Sequence, residues 1–311
     1  MSMQKSVFIF PGQGTQYIGM GADLARDFAP AKEVFQEVDE ALQQNLSSLM
    51  FSGDIEELTQ TQNAQPAIMA VSMAVFRVLQ KEIGPSFTKA ISAVAGHSLG
   101  EYSALCAAKV LSLKDVARLL KARGMAMARA CENLPGGMVA LLGANPQQAA
   151  DIASRSEVYV ANDNAPGQIV LSGSKEHLEH TKILAEQMGI KRCINLPVMG
   201  AFHSPLMQRA AEEMSPLLAQ VKFKQPTIPV YFNITARAEQ NPQLYADLLT
   251  KQIIGSVRWC ELIQNTQASH FVECGPGNVL AGLVRRIISG TDVISLGTSD
   301  DIHKFIENSM S

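Results

Sequence analysis

The chain has 311 residues, 47% hydrophobic and 18% charged, with 26 Lys plus Arg against 29 Asp plus Glu. This is globular composition, which excludes collagen, coiled coil and long disorder. A net charge of −3 gives no general surface for nucleic acid, and the length suits two domains or one large domain with an insertion.

In chain order, residues 5–10 form a short apolar run that stops at Pro11-Gly12 and predicts a buried strand. Helical patterns follow at 20–27, 31–43 and 65–82. Residues 89–95 predict a second buried strand, which runs into Gly96-His97-Ser98-Leu99-Gly100 and then helices at 101–110 and 113–131. Strands followed by helices at this spacing argue for an α/β layer with a parallel sheet. The middle reads differently: strand 138–142, helix 146–155, strands 158–161 and 168–172 around a turn-rich 162–167, helix 176–188 and strand 191–196. That order is β-α-β-β-α-β, a ferredoxin-like unit. We therefore expect a small subdomain over 132–198 inserted in a large α/β-hydrolase-like domain made of 1–131 and 199–311. Beyond it come helix 205–221, strand 228–232, helices 244–254 and 259–267, strand 270–273, helix 279–288 and a weak strand and helix in the tail.

No apolar run approaches the ~18 residues of a membrane span, and the first residues lack the pattern of a secretory leader. Five widely spaced cysteines without C-x-x-C read as reduced thiols of a cytoplasmic protein. Zinc-ligand spacing and H-E-x-x-H are absent, so no metal is expected.

Gly96-His97-Ser98-Leu99-Gly100 is a G-x-S-x-G between a strand and a helix, the context of a nucleophile elbow. A sharp turn there lifts the Ser98 hydroxyl to a helix N-terminus, and the Leu99 N–H points at any oxyanion formed. Such a serine needs a base. Of the six histidines, His97 adjoins the serine and reads as packing, while His177 and His180 lie on a polar helix and His270 begins a strand. His203 lies in a loop where the small unit rejoins the large one, a place that lines clefts. An imidazole near pKa ~6.5 suits a base and acid at neutral pH. The rival base is His303, which after Asp300 and Asp301 gives the Ser…Asp…His order of a hydrolase. Gly12-Gln13-Gly14 lacks the third glycine of a dinucleotide fingerprint, yet its N–H groups can complete an oxyanion hole. Arg123 sits mid-helix among small and apolar neighbours. Buried there it must meet an anion, and a carboxylate held bidentately fits. Lys191-Arg192 and Arg285-Arg286 are candidate basic pairs for an acidic partner, and each equally reads as solvated charge.

FPGQGTQ at 10–16, GHSLGEYSAL at 96–105, Arg123 with Met127, GAFHSPLM at 200–207 and ECGPGNVLAGL at 273–283 occur in one order. Together they resemble the malonyl-CoA:acyl carrier protein transacylases of fatty acid synthesis and the acyltransferase domains of polyketide synthases, over essentially the whole chain. The resemblance implies Ser98 as acylated nucleophile, His203 as base and acid, and a glutamine oxygen, at Gln252, orienting the histidine. It also implies Gln13 and Leu99 as the oxyanion hole and Arg123 as the grip on the malonyl carboxylate. Phe202 is implied to crowd a 2-methyl branch. Malonyl-CoA and acyl carrier protein are the implied partners, without nucleic acid, membrane, metal or cofactor, and the expected state is a monomer. A serine thioesterase, a trans-acting polyketide acyltransferase and a non-catalytic carrier-binding scaffold are the alternatives. Thr15 and Met199 depart from the residues common in the family.

Overall fold

The structure is a computed structural model, and it describes residues 4–310. Two sheets organise it. The strands are β1 (Ser6–Phe10), β2 (Ile91–Gly96), β3 (Gly136–Leu142), β4 (Tyr159–Ala165) and β5 (Gln168–Ser174), then β6 (Arg192–Asn195), β7 (Val230–Phe232), β8 (Arg237–Glu239), β9 (His270–Cys274) and β10 (Asp292–Leu296).

The larger sheet has the order β10-β9-β1-β2-β7-β8. Its pairings are parallel except the last, the β7–β8 hairpin. β1 is buried at every residue, as a strand covered on both faces must be. The covering elements include the Thr61–Ile83 helix, buried along most of its length. Phe8 meets the edges of Phe76 and Phe87, with centroids 6.2 and 5.2 Å apart. These aromatic contacts tie the sheet to its helical layer.

The smaller sheet is antiparallel, in the order β4-β5-β3-β6, with the Pro146–Arg155 and Lys175–Gln187 helices in its crossovers. Its strands lie within 136–195, and its core of Val139, Leu141, Ile152, Ile169 and Leu171 is separate from that of the larger sheet. The chain is thus mixed α/β, a parallel-rich sheet beside a βαββαβ unit.

Local turn chemistry misleads at one place. Asn162 to Ala165 is strand rather than turn, and only Pro166-Gly167 remains to link β4 to β5. The reason is tertiary. Asp163 N–H donates to the Val257 carbonyl at 3.0 Å and Val257 N–H to the Ala161 carbonyl at 2.9 Å. The far side of β4 is thereby paired to the large unit. Three short helices, Leu46–Ser52, Ile55–Thr59 and Pro85–Ala90, and strand β8 occupy segments where sequence periodicity was too brief to read.

Candidate active site

β1 and β2 are parallel neighbours, so the loops at their carboxyl ends emerge side by side. His97 N–H donates to the Phe10 carbonyl at 3.0 Å. The glycines make this approach possible. A Cβ on Gly100 would lie 2.2 Å from the Phe10 carbonyl oxygen, and one on Gly96 would lie 1.9 Å from the Gly100 carbonyl carbon. Ser98 is left at φ 52, a left-handed conformation costing a non-glycine residue about 1–3 kcal/mol. This is the sharp turn the sequence pattern demands.

Ser98 Oγ lies 2.8 Å from His203 Nε2. His203 is itself left-handed, at φ 57, in the loop after the small unit. Its Nδ1 lies 2.8 Å from the backbone oxygen of Gln252. Since a carbonyl only accepts, Nδ1 carries the hydrogen, and Nε2 is free to accept the Ser98 O–H. Gln252 therefore orients the ring through its main chain. Its side chain does something else: Nε2 donates to the Ser98 carbonyl at 2.9 Å, and Oε1 accepts from Arg123 at 2.9 Å.

Arg123 projects from the Leu113–Asn133 helix and is 1% exposed. It donates to Ser98 Oγ at 3.1 Å and to Gln65 Oε1 at 2.8 Å. Its guanidinium carbon lies 5.9 Å from the centre of the Tyr102 ring. Among the described residues no carboxylate reaches ion-pair distance of Arg123, and its Nε–H is buried without a partner. A buried cation surrounded by neutral partners is costly, and an incoming anion relieves that cost.

These groups face an open cleft. Gln13, Leu99, Met127, Phe202 and Leu280 line it along with Ser98, His203 and Arg123. The loop bearing Gln13 is pressed onto the elbow, where a Cβ on Gly12 would lie 2.9 Å from the His97 carbonyl oxygen. Neither the Gln13 nor the Leu99 N–H donates to a protein acceptor among the described residues, so both are available to an oxyanion. Ser98 N–H is committed, donating to Asn233 Oδ1 at 2.8 Å.

The imidazole is not in its ordinary range. Burial first, and then the positive charge of Arg123, push His203 down to about 3. An unperturbed base near 6.5, as the sequence suggests, omits both causes. His97 is held low by burial, and its Nε2 donates to Asn164 Oδ1 at 2.8 Å beside Trp259. It packs, as expected.

The rival base lies elsewhere. The ring of His303 stacks on Phe28 with centroids 5.0 Å apart, and Asp301 accepts from the Gly297 and Thr298 N–H groups. Neither residue lines the cleft, so the hydrolase order has no spatial counterpart. The Arg285-Arg286 pair is also not free. Arg285 donates to the Val293 carbonyl at 2.6 Å, and Arg286 donates to Gln168 Oε1 at 2.6 Å and the Pro166 carbonyl at 2.9 Å. Lys191 and Arg192 remain exposed. Sequence reasoning missed Gln65, Asn233 and Asn164. The available signal for Asn233 was a polar residue just past the end of a buried strand.

Comparison with known proteins then gives a consistent picture. The family model described as acyl transferase domain matches residues 7–303. A malonyl CoA-acyl carrier protein transacylase of Bacillus subtilis (strain 168) is 40% identical, covering 98% of this chain and 97% of the relative. Its namesake from Escherichia coli (strain K12) is 38% identical, covering 92% and 94%. The crystal structure of an acyl-carrier-protein-S-malonyltransferase from Bartonella henselae superposes with a TM-score of 0.94 at 42% identity, covering 99% of this chain and 100% of that one. A malonyl-transacylase solved in complex with a type II PKS acyl-carrier protein superposes with a TM-score of 0.92 at 34% identity, covering 98% and 100%.

Proposed function

The chain belongs to the acyl transferase domain family, and we propose that it moves the malonyl group of malonyl-CoA to the phosphopantetheine thiol of acyl carrier protein, supplying fatty acid synthesis. The transfer runs in two halves through a malonyl-serine. In the first, His203 Nε2 takes the Ser98 proton as Oγ bonds to the thioester carbonyl carbon. The Gln13 and Leu99 N–H groups hold the oxyanion. The C–S bond breaks, and the imidazolium gives its proton to the departing CoA sulfur. In the second half the carrier thiol gives its proton to His203 and attacks the malonyl ester. The tetrahedral intermediate collapses, and Ser98 recovers the proton. Every step moves a proton or an acyl group, so the cycle calls for no metal or redox cofactor.

One observation carries the choice of acyl group. A buried guanidinium with only neutral partners stands 3.1 Å from the nucleophile oxygen. A malonyl group on that oxygen carries its carboxylate one methylene beyond the acyl carbon, within reach of Arg123. The carboxylate supplies the missing counter-ion. It also cancels the charge that depresses His203, so the imidazole is a better base and proton carrier in the complex than in the free enzyme. Phe202 walls the same cleft and disfavours a 2-methyl branch. A single methyl is worth only ~1–3 kcal/mol, so the selection is a preference.

The same reading has the enzyme acting as a monomer in the cytoplasm, in keeping with five unpaired cysteines. Incubation with labelled malonyl-CoA, with and without carrier, tests it. Label should collect on a protein serine alone and pass to the carrier when carrier is added. Label appearing as free malonate under both conditions would make the protein a hydrolase.

A further inference from the structure

The elbow is held by residues outside the Ser98–His203–Arg123 set. Asn233 follows β7, the strand next to β2, and is fully buried. Its side-chain amide is used at both ends. Oδ1 accepts from Ser98 N–H at 2.8 Å, and Nδ2 donates to the Gly96 carbonyl at 2.7 Å. Its own backbone N–H donates to Glu101 Oε2 at 2.6 Å, and Glu101, on the Gly100–Ala107 helix, is 1% exposed. The amide therefore spans the turn from the residue before His97 to the nucleophile, while a carboxyl group from the following helix fixes the amide's backbone.

A left-handed serine persists only where its surroundings over-determine it. Rotating the peptide before Ser98 out of this conformation would break the bond from Ser98 N–H to Asn233 Oδ1. The same bond occupies the Ser98 N–H, leaving Leu99 N–H as the elbow's donor to an oxyanion. We propose that Asn233 is a positioning residue for acyl transfer: its amide fixes the Ser98 peptide so that Oγ faces His203 and Leu99 N–H faces the oxyanion, with Glu101 as its anchor. This rests on Ser98 being the nucleophile. It predicts an effect on the chemical step and little on thioester binding, because Asn233 does not line the cleft.

The test uses the full-length enzyme with malonyl-CoA and holo carrier protein. Asn233→Ala should lower kcat by about 10- to 100-fold and change KM by less than about 3-fold, the pattern of an interaction that matters in the transition state. Asn233→Asp gives a signature that a merely structural role does not. Ionised, the introduced carboxylate keeps an acceptor for Ser98 N–H but turns an oxygen onto the Gly96 carbonyl. Protonated, it restores a donor there. Beside it stand Glu101, whose Oε2 accepts from the Asn233 N–H, and Gln252, whose Nε2 lies 3.5 Å from Asn233 Oδ1, while Arg123 and His203 reach the same turn through Ser98 Oγ and the Arg258 backbone N–H donates to the Asn233 carbonyl at 3.2 Å. The kcat of this variant relative to wild type should therefore rise as pH falls from 8 to 6. A folded Asn233→Ala enzyme with kcat within about 3-fold of wild type overturns the proposal. So does an aspartate variant whose relative kcat is flat with pH, and that variant decides the matter if the alanine variant does not fold. Ser98→Ala is run alongside. Malonylation surviving there refutes the nucleophile reading itself, which is a different failure.

Discussion

Lowering the pH from 7 to 5 probes the environment of His203 directly. An imidazole titrating at ~6.5 is about three-quarters neutral at pH 7 and about 3% neutral at pH 5, so a rate following the neutral form would fall ~25-fold. In the free enzyme burial and Arg123 push His203 down to about 3, and at that value the neutral base is essentially fully populated at both pH values. The kcat/KM for malonyl-CoA, which reports on the free enzyme, should change by less than about 2-fold over this interval. The same depression affects stability. The folded state binds fewer protons than the unfolded state between the two pKa values. The contribution of neutral His203 is therefore complete above about 6.5 and is lost as pH falls from there towards about 3. Quenched-flow malonylation at pH 5, 6, 7 and 8, with circular dichroism to verify folding, is the assay. Arg123→Ala removes one of the depressing causes, while burial remains, and should move the acid limb upward. A 25-fold fall between pH 7 and 5 in a folded wild-type enzyme would refute the reasoning, because His203 would then titrate as if in water.

Three further outcomes follow from named contacts. Arg123→Ala should lower kcat/KM for malonyl-CoA by about 10²–10³-fold, the scale of a lost buried charge pair, and acetyl transfer by less than about 10-fold, and equal losses would remove Arg123 from the carboxylate role. Phe202→Ser should raise methylmalonyl transfer relative to malonyl by about 10- to 200-fold, read as a ratio of kcat/KM values, and no change in that ratio would free Phe202 from selectivity. Burial pushes Glu101 up to about 8, so the fold holds a proton there that the unfolded chain releases above about 4.5. Stability from this group is thus full below pH 4.5 and lost as pH rises towards 8. Thermal melts of Glu101→Gln should lose that decline while keeping the acceptor for Asn233 N–H, and parallel wild-type and variant melting curves would contradict it.

The geometry of the site was legible where close packing forces a local pattern. A strand, a glycine-flanked serine and a helix can pack only as an elbow, because the Cβ atoms excluded at 96 and 100 would strike backbone. The alternation of elements likewise announced the βαββαβ unit. What stayed hidden depends on long-range placement. Gln252 presents its main-chain oxygen to His203 and its side chain to Arg123 and Ser98, and no spacing encodes that division. Asn233 is 135 positions from Ser98, and only the parallel pairing of β2 with β7 brings the two together. The stretch from Asn162 to Ala165 reads as turn by composition and becomes strand through pairing with Val257. The basic pair at 285–286 reads equally as a docking rim or as solvated charge, and the fold adds contacts from both guanidinium groups to backbone carbonyls and Gln168 that charge alone does not encode.

Everything turns on a covalent bond at one oxygen. Brief exposure to malonyl-CoA without carrier, followed by proteolysis and mass mapping, should find one malonyl group per chain, on the peptide holding GHSLGEYSAL and at residue 98. Adding holo carrier should empty it, and His203→Ala should slow both its formation and its loss. A malonyl group found on any other side chain, or carrier loaded at full rate by Ser98→Ala, would contradict the account.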